Sequence, residues 1–190
     1  MKSTKLILLG IVVILLSSFT IKSKHEVVAL YLSYEDYKTS KLNYVNASKI
    51  QLNTFFETPY ISVTESNSKL KLLKKNVYGF KDASAKTYRL YQNKVFEIID
   101  TAGFFLYKNF TTKNLTNGKG FIKEDAYYFS QTGSSEIVAL NISSLEKAFS
   151  SNTKFRYALE SAFKTDKELT AYDNYNAQYK IKYLYSQSLQ

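Results

Sequence analysis

The chain has 190 residues, carries 26 lysine and arginine residues against 16 acidic ones, and contains no cysteine. Without cysteine it forms no disulfide, offers no thiolate nucleophile and accepts no lipid behind a leader, so we expect that it is not a lipoprotein. Its single histidine lies at position 25, which argues against a zinc site and against a Ser-His-Asp triad.

The first 23 residues have the layout of a secretory signal peptide. Lys2 and Lys5 precede the apolar run LILLGIVVILL at 6–16, and small polar residues follow it. A helix that crosses a bilayer needs about 20 apolar residues, more than this run supplies. We therefore predict cleavage after Thr20 or Ser23 and export to the periplasm or the outside. An uncleaved N-terminal anchor is the alternative.

Residues 24–190 are predicted to form one α+β domain that begins with an antiparallel meander over about 26–140. Short strand-like segments recur at spacings near ten residues and are joined by turns rich in Asp, Asn, Ser and Gly. They are 27–32, 59–65, 69–75, 77–80, 87–91, 95–99, 104–110, 126–130 and 136–140.

Three local features complete this part of the prediction. A helical turn at 33–42 is expected to begin at Ser33. The alternation of lysine and leucine at 69–75 places Leu70 and Leu72 on a buried face. The stretch 111–125 is the longest predicted loop.

The pattern changes to a helical one at Asn141, and helices are predicted over about 143–189. Ser143 and Glu146 match a capping box, and 152–163 has the apolar spacing of an amphipathic helix. TDKE at 165–168 matches a second capping box. A sheet followed by helices that pack on it indicates the α+β class.

Four tyrosines in the last segment step along the chain at helical spacing, namely Tyr172, Tyr175, Tyr179 and Tyr183. On one continuous helix they would form a single stripe. We predict that this stripe packs on the sheet as part of the core. The alternative is an exposed aromatic and basic face that binds a glycan, a lipid head group or a peptide.

The stretch 66–95 concentrates positive charge, because Asp82 is its only acidic residue. A basic, tyrosine-bearing sheet face is able to bind an anionic polymer through charge and ring stacking. The alternative is a solvated outer face whose lysines discourage edge-to-edge aggregation. The candidate binding residues are Lys69, Lys71, Tyr78, Lys81, Tyr88, Arg89 and Tyr91.

Catalysis has weaker support in the sequence. Glycoside hydrolysis needs only two suitably spaced carboxylates, and the available pairs are Glu35/Asp36, Glu97/Asp100 and Glu124/Asp125. No catalytic, cofactor-binding or metal-binding residues are predicted. Lysine dominates the basic residues, whereas arginine suits bidentate phosphate recognition better, so no specific nucleic-acid binding is expected.

Three segments, VYGFKDASAKTYRL (77–90), IIDTAGFFLY (98–107) and TDKELTAYDNYNAQYKIKYLY (165–185), together with the leader, resemble uncharacterised small exported proteins of Bacteroidota. The resemblance implies an envelope location and brings no catalytic or ligand residues.

The function predicted from the sequence is that of a non-enzymatic binding or structural module of the cell envelope. It would contact an anionic glycan, a lipid head group or a partner protein, with peripheral membrane contact at most. A small carboxylate-based hydrolase is the alternative.

Overall fold

A computed structural model of the chain describes residues 26–53, 58–114 and 120–190. The predicted signal peptide, its cleavage sites and His25 lie outside these residues. So does the middle of the predicted loop at 111–125.

The described chain is built around a seven-stranded antiparallel sheet. Its strands lie in the order β1-β5-β6-β7-β8-β9-β10, so six of them follow one another in chain order. They are β1 (Val27–Tyr31), β5 (Gly79–Asp82), β6 (Thr87–Tyr91), β7 (Lys94–Asp100), β8 (Phe105–Asn114), β9 (Phe121–Ser130) and β10 (Val138–Ala139). This meander, followed by helices, confirms the predicted α+β class.

The chain between β1 and β5 forms a helix and a second, smaller sheet. Helix α1 (Tyr34–Lys38) begins as predicted at Ser33, whose hydroxyl accepts a hydrogen bond from the Asp36 N–H at 3.0 Å. The small antiparallel sheet consists of β2 (Lys49–Gln51), β3 (Tyr60–Glu65) and β4 (Ser68–Leu73), with β3 in the centre.

The hairpin of β8 and β9 is longer than the sequence suggested. Ten consecutive pairs run from Phe105 opposite Ser130 to Asn114 opposite Phe121. The prediction of a loop over 111–125 is therefore wrong at both ends. The segment is polar, but its threonines have high strand propensity, and the ladder pairs its backbone groups across the hairpin.

One face of the large sheet carries two separate covers. The strand pairing places Phe80, Tyr88, Glu97 and Lys108 side by side on this face. Leu106 is two residues from Lys108 on β8 and therefore lies on the same face. The small sheet covers the β5–β6 end, where Ile61 and Val63 pack with Leu30, Phe80 and Tyr88. Helices cover the β8–β9 end.

The helical cover is formed by α2 (Ile142–Ala148), α3 (Thr153–Ala162), a 3-10 turn (Asp166–Thr170) and α4 (Lys180–Gln187). The core beneath these elements consists of Phe104, Leu106, Phe129, Leu145, Phe149, Phe155, Leu159, Phe163, Leu169 and Ile181, all buried. Full burial of a leucine or phenylalanine contributes about 1.5–3 kcal/mol, so this layer holds the helices on the sheet.

The predicted apolar face of α3 is confirmed, whereas the predicted cap of α2 is wrong. Asn152 caps α3, and the predicted apolar face of that helix is confirmed, with Phe155 and Leu159 buried. Helix α2 begins earlier than predicted, because its N-cap is Asn141, whose side chain accepts the Ser144 N–H at 2.8 Å, and not Ser143.

The second predicted capping box does not start a long tail helix. Glu168 accepts hydrogen bonds from the Thr165 hydroxyl at 3.2 Å and the Lys164 N–H at 2.8 Å. These bonds close a 3-10 turn that ends at Thr170.

The prediction of a buried four-tyrosine stripe in the tail is wrong. The segment first forms a hairpin of β11 (Tyr172–Asp173) and β12 (Gln178–Tyr179), and only then helix α4. The Asp173 carboxylate accepts the N–H groups of Tyr175 and Asn176 at 2.9 and 3.1 Å. Such side-chain bonds compete with helix formation.

The exposure of the tail side chains follows from this break in the helix. Tyr175 is 95% exposed, and Tyr172 and Tyr183 are also exposed. The tail contributes to the core through Ile181 and through Tyr185, whose ring contacts those of Phe104, Phe149 and Phe155.

The opposite face of the large sheet is covered by α1 and by the loop at 131–137. Phe96, Phe105, Tyr107 and Ile137 form its buried cluster, and Tyr34 and Tyr37 of α1 pack against it. Both faces of the central strands are therefore covered over part of their length.

Candidate functional site

The seven candidate binding residues do not share one exposed face. Lys69 and Lys71 are exposed on β4, an edge strand of the small sheet, whereas Tyr88 and Arg89 are buried within the large sheet. The remaining three, Tyr78, Lys81 and Tyr91, are half-buried. The prediction of a single solvent-facing Lys/Tyr surface is therefore wrong.

Leu70 shows how the edge strand differs from the prediction. Leu72 is half-buried against the core of the small sheet, as expected, but Leu70 is 46% exposed. The alternation places both leucines on the same face of β4. Because β4 is an edge strand with a neighbouring strand on one side only, this face is not covered along its whole length, and Leu70 remains exposed.

Tyr88 is a core residue. Its ring stacks on that of Phe80 at a centroid distance of 4.7 Å, and its hydroxyl donates to the Asp82 carboxylate at 2.9 Å. Burial, followed by the hydrogen bond with Asp82, raises the pKa of the Tyr88 hydroxyl above its usual range.

Arg89 points to the other face of the sheet and is 5% exposed. Its guanidinium carbon lies 5.2, 5.5 and 6.0 Å from the ring centroids of Tyr91, Tyr78 and Tyr107, and Nη1 donates to the Tyr107 hydroxyl at 3.1 Å. No carboxylate of the described residues forms an ion pair with it. Cation–π contacts therefore surround a fixed positive charge inside the fold.

The tyrosines around Arg89 are themselves held in place. The Tyr78 hydroxyl donates to the Gly133 carbonyl at 2.9 Å, and Tyr107 shares a 2.9 Å hydrogen bond with Ser130. Burial raises the pKa of both hydroxyls, although Arg89 opposes the shift in each case. These phenols stay neutral in the physiological range and do not neutralise Arg89.

A cleft lies beside this cluster, where the 3-10 turn Lys74–Asn76 faces the hairpin of β6 and β7. Its volume is about 380 Å³, and Tyr91 belongs to its wall. No acidic residue is among its described lining residues, which are Lys74, Lys75, Val77, Leu90, Tyr91, Gln92 and Asn93.

The two lysines of the cleft have different environments. Lys74 is 4% exposed, and its ammonium donates to the Asn53 carbonyl at 3.2 Å, while its backbone N–H donates to the Pro59 carbonyl at 2.7 Å. Lys75 is exposed and forms no hydrogen bond or ion pair with another described residue. One ammonium is thus anchored, and the other is free to meet a ligand.

The two amides of the cleft are displayed by a tight turn. Gln92 and Asn93 join β6 to β7, and their φ angles are 48° and 60°. A two-residue turn with positive φ at both positions is the type I′ hairpin, whose twist matches that of the strands. Both side chains are exposed at the mouth of the cleft.

Basic residues therefore line the cleft or lie close to it. Lys74 and Lys75 line it, and the guanidinium carbon of the buried Arg89 lies 5.2 Å from the ring centroid of Tyr91, another lining residue. A concave site lined by one sign of charge attracts oppositely charged ligands. The arrangement is suited to binding of an anion.

Sequence reasoning identified Tyr91 but missed the other functional groups of this cleft. Lys74, Lys75, Gln92 and Asn93 all lie within the basic stretch 66–95, and none was singled out. The short separation of two strand segments around Gln92 and Asn93 was a usable signal, because strands joined by two to five residues are typical of a hairpin.

A second, smaller cleft of about 270 Å³ is lined by Asp125, Tyr127, Leu140, Asp166, Lys167 and Thr170. Its acids have structural partners. Asp125 forms a 2.5 Å ion pair with Lys108 and raises the pKa of that lysine through the hydrogen bond. Asp166 accepts the Ile142 N–H at 2.9 Å.

The candidate carboxylate pairs are engaged in a similar way. Glu97 forms a 2.5 Å ion pair with Lys86, and Asp100 accepts the Ala102 N–H at 2.8 Å. Glu124 and Asp125 are neighbours on β9, so their side chains point to opposite faces.

The acids of α1 serve that helix and its surroundings. Glu35 pairs with Lys38 at 3.2 Å, and Asp36 accepts a hydrogen bond from the Asn43 amide at 3.0 Å. Over the described ranges no group of three or more acidic or histidine side chains is placed to hold a metal ion.

Comparison with protein-family models, with curated proteins and with solved structures gives no match to this chain. None of the helices in the described part of the chain is both long and apolar enough to span a membrane.

Proposed function

We propose that this protein is an exported, non-enzymatic binding module that holds an anionic group of a cell-envelope polymer in the Lys74–Lys75 cleft. The observation that carries the proposal is the charge of the cleft. Lys75 lines the cleft with an exposed ammonium that forms no hydrogen bond or ion pair with another described residue, and no acid is among the described lining residues.

The size and chemistry of the cleft support a small anionic group. A volume of about 380 Å³ lies near the lower end of the range for small-molecule sites, roughly 300–1,000 Å³. A lysine ammonium acts as a point charge with rotatable donors, so the exposed Lys75 suits a single carboxylate or phosphate group.

The remaining charge of the chain supports the same partner class. Removal of residues 1–23 eliminates Lys2, Lys5 and Lys22 and no acid, so the exported chain keeps most of the formal charge of +10. Net positive charge raises the rate and strength of encounters with anionic polymers. The free ammonium of Lys75 then provides a local contact.

Lys75→Gln tests the proposal, with Lys154→Gln as the matched control. Lys154 is an exposed lysine on α3, within the helical cover. Both variants lose one charge, so they affect long-range attraction equally. Affinity of residues 24–190 for an oligogalacturonate is measured by calorimetry at low and moderate salt.

We expect Lys75→Gln to weaken binding about three- to tenfold at low salt, which corresponds to about 0.6–1.4 kcal/mol. The effect should shrink at higher salt because exposed charges are screened. Lys154→Gln should change the affinity much less. Equal losses in the two variants would indicate non-specific attraction and would contradict a site at the cleft.

We propose no second function. The hydrolase alternative needs two carboxylates that converge on a substrate, whereas Glu97 faces Lys86 and Asp125 faces Lys108.

A further inference from the structure

We infer that the ligand of the cleft is a saccharide and that the cleft holds one anionic sugar unit. Lys75 contacts the acid group, Tyr91 packs on the sugar ring, and Gln92 and Asn93 hydrogen-bond to sugar hydroxyls. This inference rests on the proposed function and names the ligand class of the same site.

The first support is the position of Tyr91. Tyr91 is half-buried and lines the cleft, and its ring centroid lies 5.2 Å from the guanidinium carbon of the buried Arg89. Aromatic rings offer a large apolar surface with a polar tip, and the C–H face of a pyranose ring matches such a surface. Val77 and Leu90 extend the apolar part of the lining.

The second support is the presence of two amides beside the lysines. Each amide carries both donors and an acceptor, and a sugar hydroxyl likewise donates and accepts. An ionised phosphate only accepts, so lysines alone would suffice for it. The side-chain amides of Gln92 and Asn93 are well placed to hydrogen-bond to sugar hydroxyls, because the hairpin fixes the backbone that carries them.

The third support is the concave shape of the site. A membrane surface is broad and flat, whereas these groups line a recess of about 380 Å³. One sugar unit fits such a recess, and the rest of the polymer remains outside. The geometry therefore favours a glycan over a lipid bilayer.

The test compares four probes on residues 24–190: tetragalacturonate, the uncharged galactotetraose, inorganic triphosphate and vesicles of phosphatidylglycerol. We expect tetragalacturonate to bind at least tenfold more tightly than each of the others. Asn93→Gly removes one amide while glycine retains the positive φ of the turn. It should weaken tetragalacturonate binding at least threefold and leave triphosphate binding unchanged.

Asn67→Gly is the matched control, because Asn67 also occupies a hairpin turn with positive φ, 66°, but lies between β3 and β4. It should leave tetragalacturonate binding unchanged. Tyr91→Leu is a second probe of the site and should weaken tetragalacturonate binding without loss of triphosphate binding. Thermal unfolding verifies that each variant is folded.

The possible failures are distinguishable. Equal affinity for tetragalacturonate and triphosphate, with Lys75→Gln weakening both, would overturn the saccharide inference and leave the anion-binding function intact. Preferential binding to vesicles would overturn it in favour of a lipid surface. Absence of any effect of Lys75→Gln would refute the proposed function and the inference together.

Discussion

Lys182 provides the sharpest prediction about stability, because it is a buried ammonium group at the junction of α4 and the sheet. It is 3% exposed. Its Nζ donates to the carbonyls of Phe104 and of Ala102, the latter at 2.9 Å, and lies 3.4 Å from the Asp100 carboxylate. These contacts tie the last helix to the turn between β7 and β8.

Burial lowers the pKa of Lys182 from 10.5 to about 8, and Asp100 acts in the opposite direction. Between pH 8 and pH 10.5, the range bounded by these two pKa values, the unfolded chain binds more protons at this site than the folded chain does. The free energy of unfolding therefore rises with pH in this window, with a slope of up to about 1.4 kcal/mol per pH unit. Between pH 8 and pH 10 the gain amounts to about 2 kcal/mol.

The assay is urea unfolding of the wild type and of Lys182→Met between pH 7 and pH 10. Other lysines and the tyrosines titrate in both proteins, so their contribution cancels in the difference. We expect the wild type to gain about 2 kcal/mol relative to Lys182→Met from pH 8 to pH 10. In Lys182→Arg, whose guanidinium stays charged, this gain should be absent. The difference in the free energy of unfolding between the wild type and Lys182→Met should therefore change with pH. If the wild-type value minus the Lys182→Met value is constant or decreases as pH rises, the reasoning is refuted.

Three further predictions concern the core, the tail and export. Leu159→Ala, which creates a cavity beneath the helical cover, should lower the free energy of unfolding by about 2–5 kcal/mol in urea titrations; a loss below about 1 kcal/mol would contradict the described packing. Tyr175→Ser should change it by less than about 0.5 kcal/mol, because this ring is 95% exposed; a larger loss would restore the buried-stripe prediction. Mass spectrometry of protein recovered from the envelope fraction should show a chain that begins after Thr20 or Ser23, and an intact residue 1 would instead support an anchor.

The order of the meander could be predicted because its signals are local. Turn residues at short spacing separated β5 through β8, and the apolar spacing around Phe155 and Leu159 identified α3. Each of these features depends on residues close in the chain.

The tail was mispredicted because two local signals competed. The tyrosine spacing favoured one helix, whereas the side-chain bonds of Asp173 to the Tyr175 and Asn176 N–H groups favour a turn. The turn prevailed, and the helical period starts only at Lys180. A spacing rule cannot decide such a competition, because it does not weigh backbone hydrogen bonds.

The binding face was mispredicted for a tertiary reason. Tyr88 and Arg89 are adjacent on β6, so they point to opposite faces of the sheet. Both are buried because the small sheet covers one face and Tyr34 and Tyr37 pack on the other. Which faces are covered depends on contacts between residues far apart in sequence, and no local pattern shows them.

The central claim, that the cleft beside Tyr91 is the binding site, is tested most directly by an NMR titration of ¹⁵N-labelled residues 24–190 with tetragalacturonate. We predict that the largest amide shift changes fall on Lys75, Gln92 and Asn93 and saturate with a single affinity. Changes centred instead on the β4 edge at Lys69 and Lys71, or on the exposed hairpin around Tyr175, would contradict the claim.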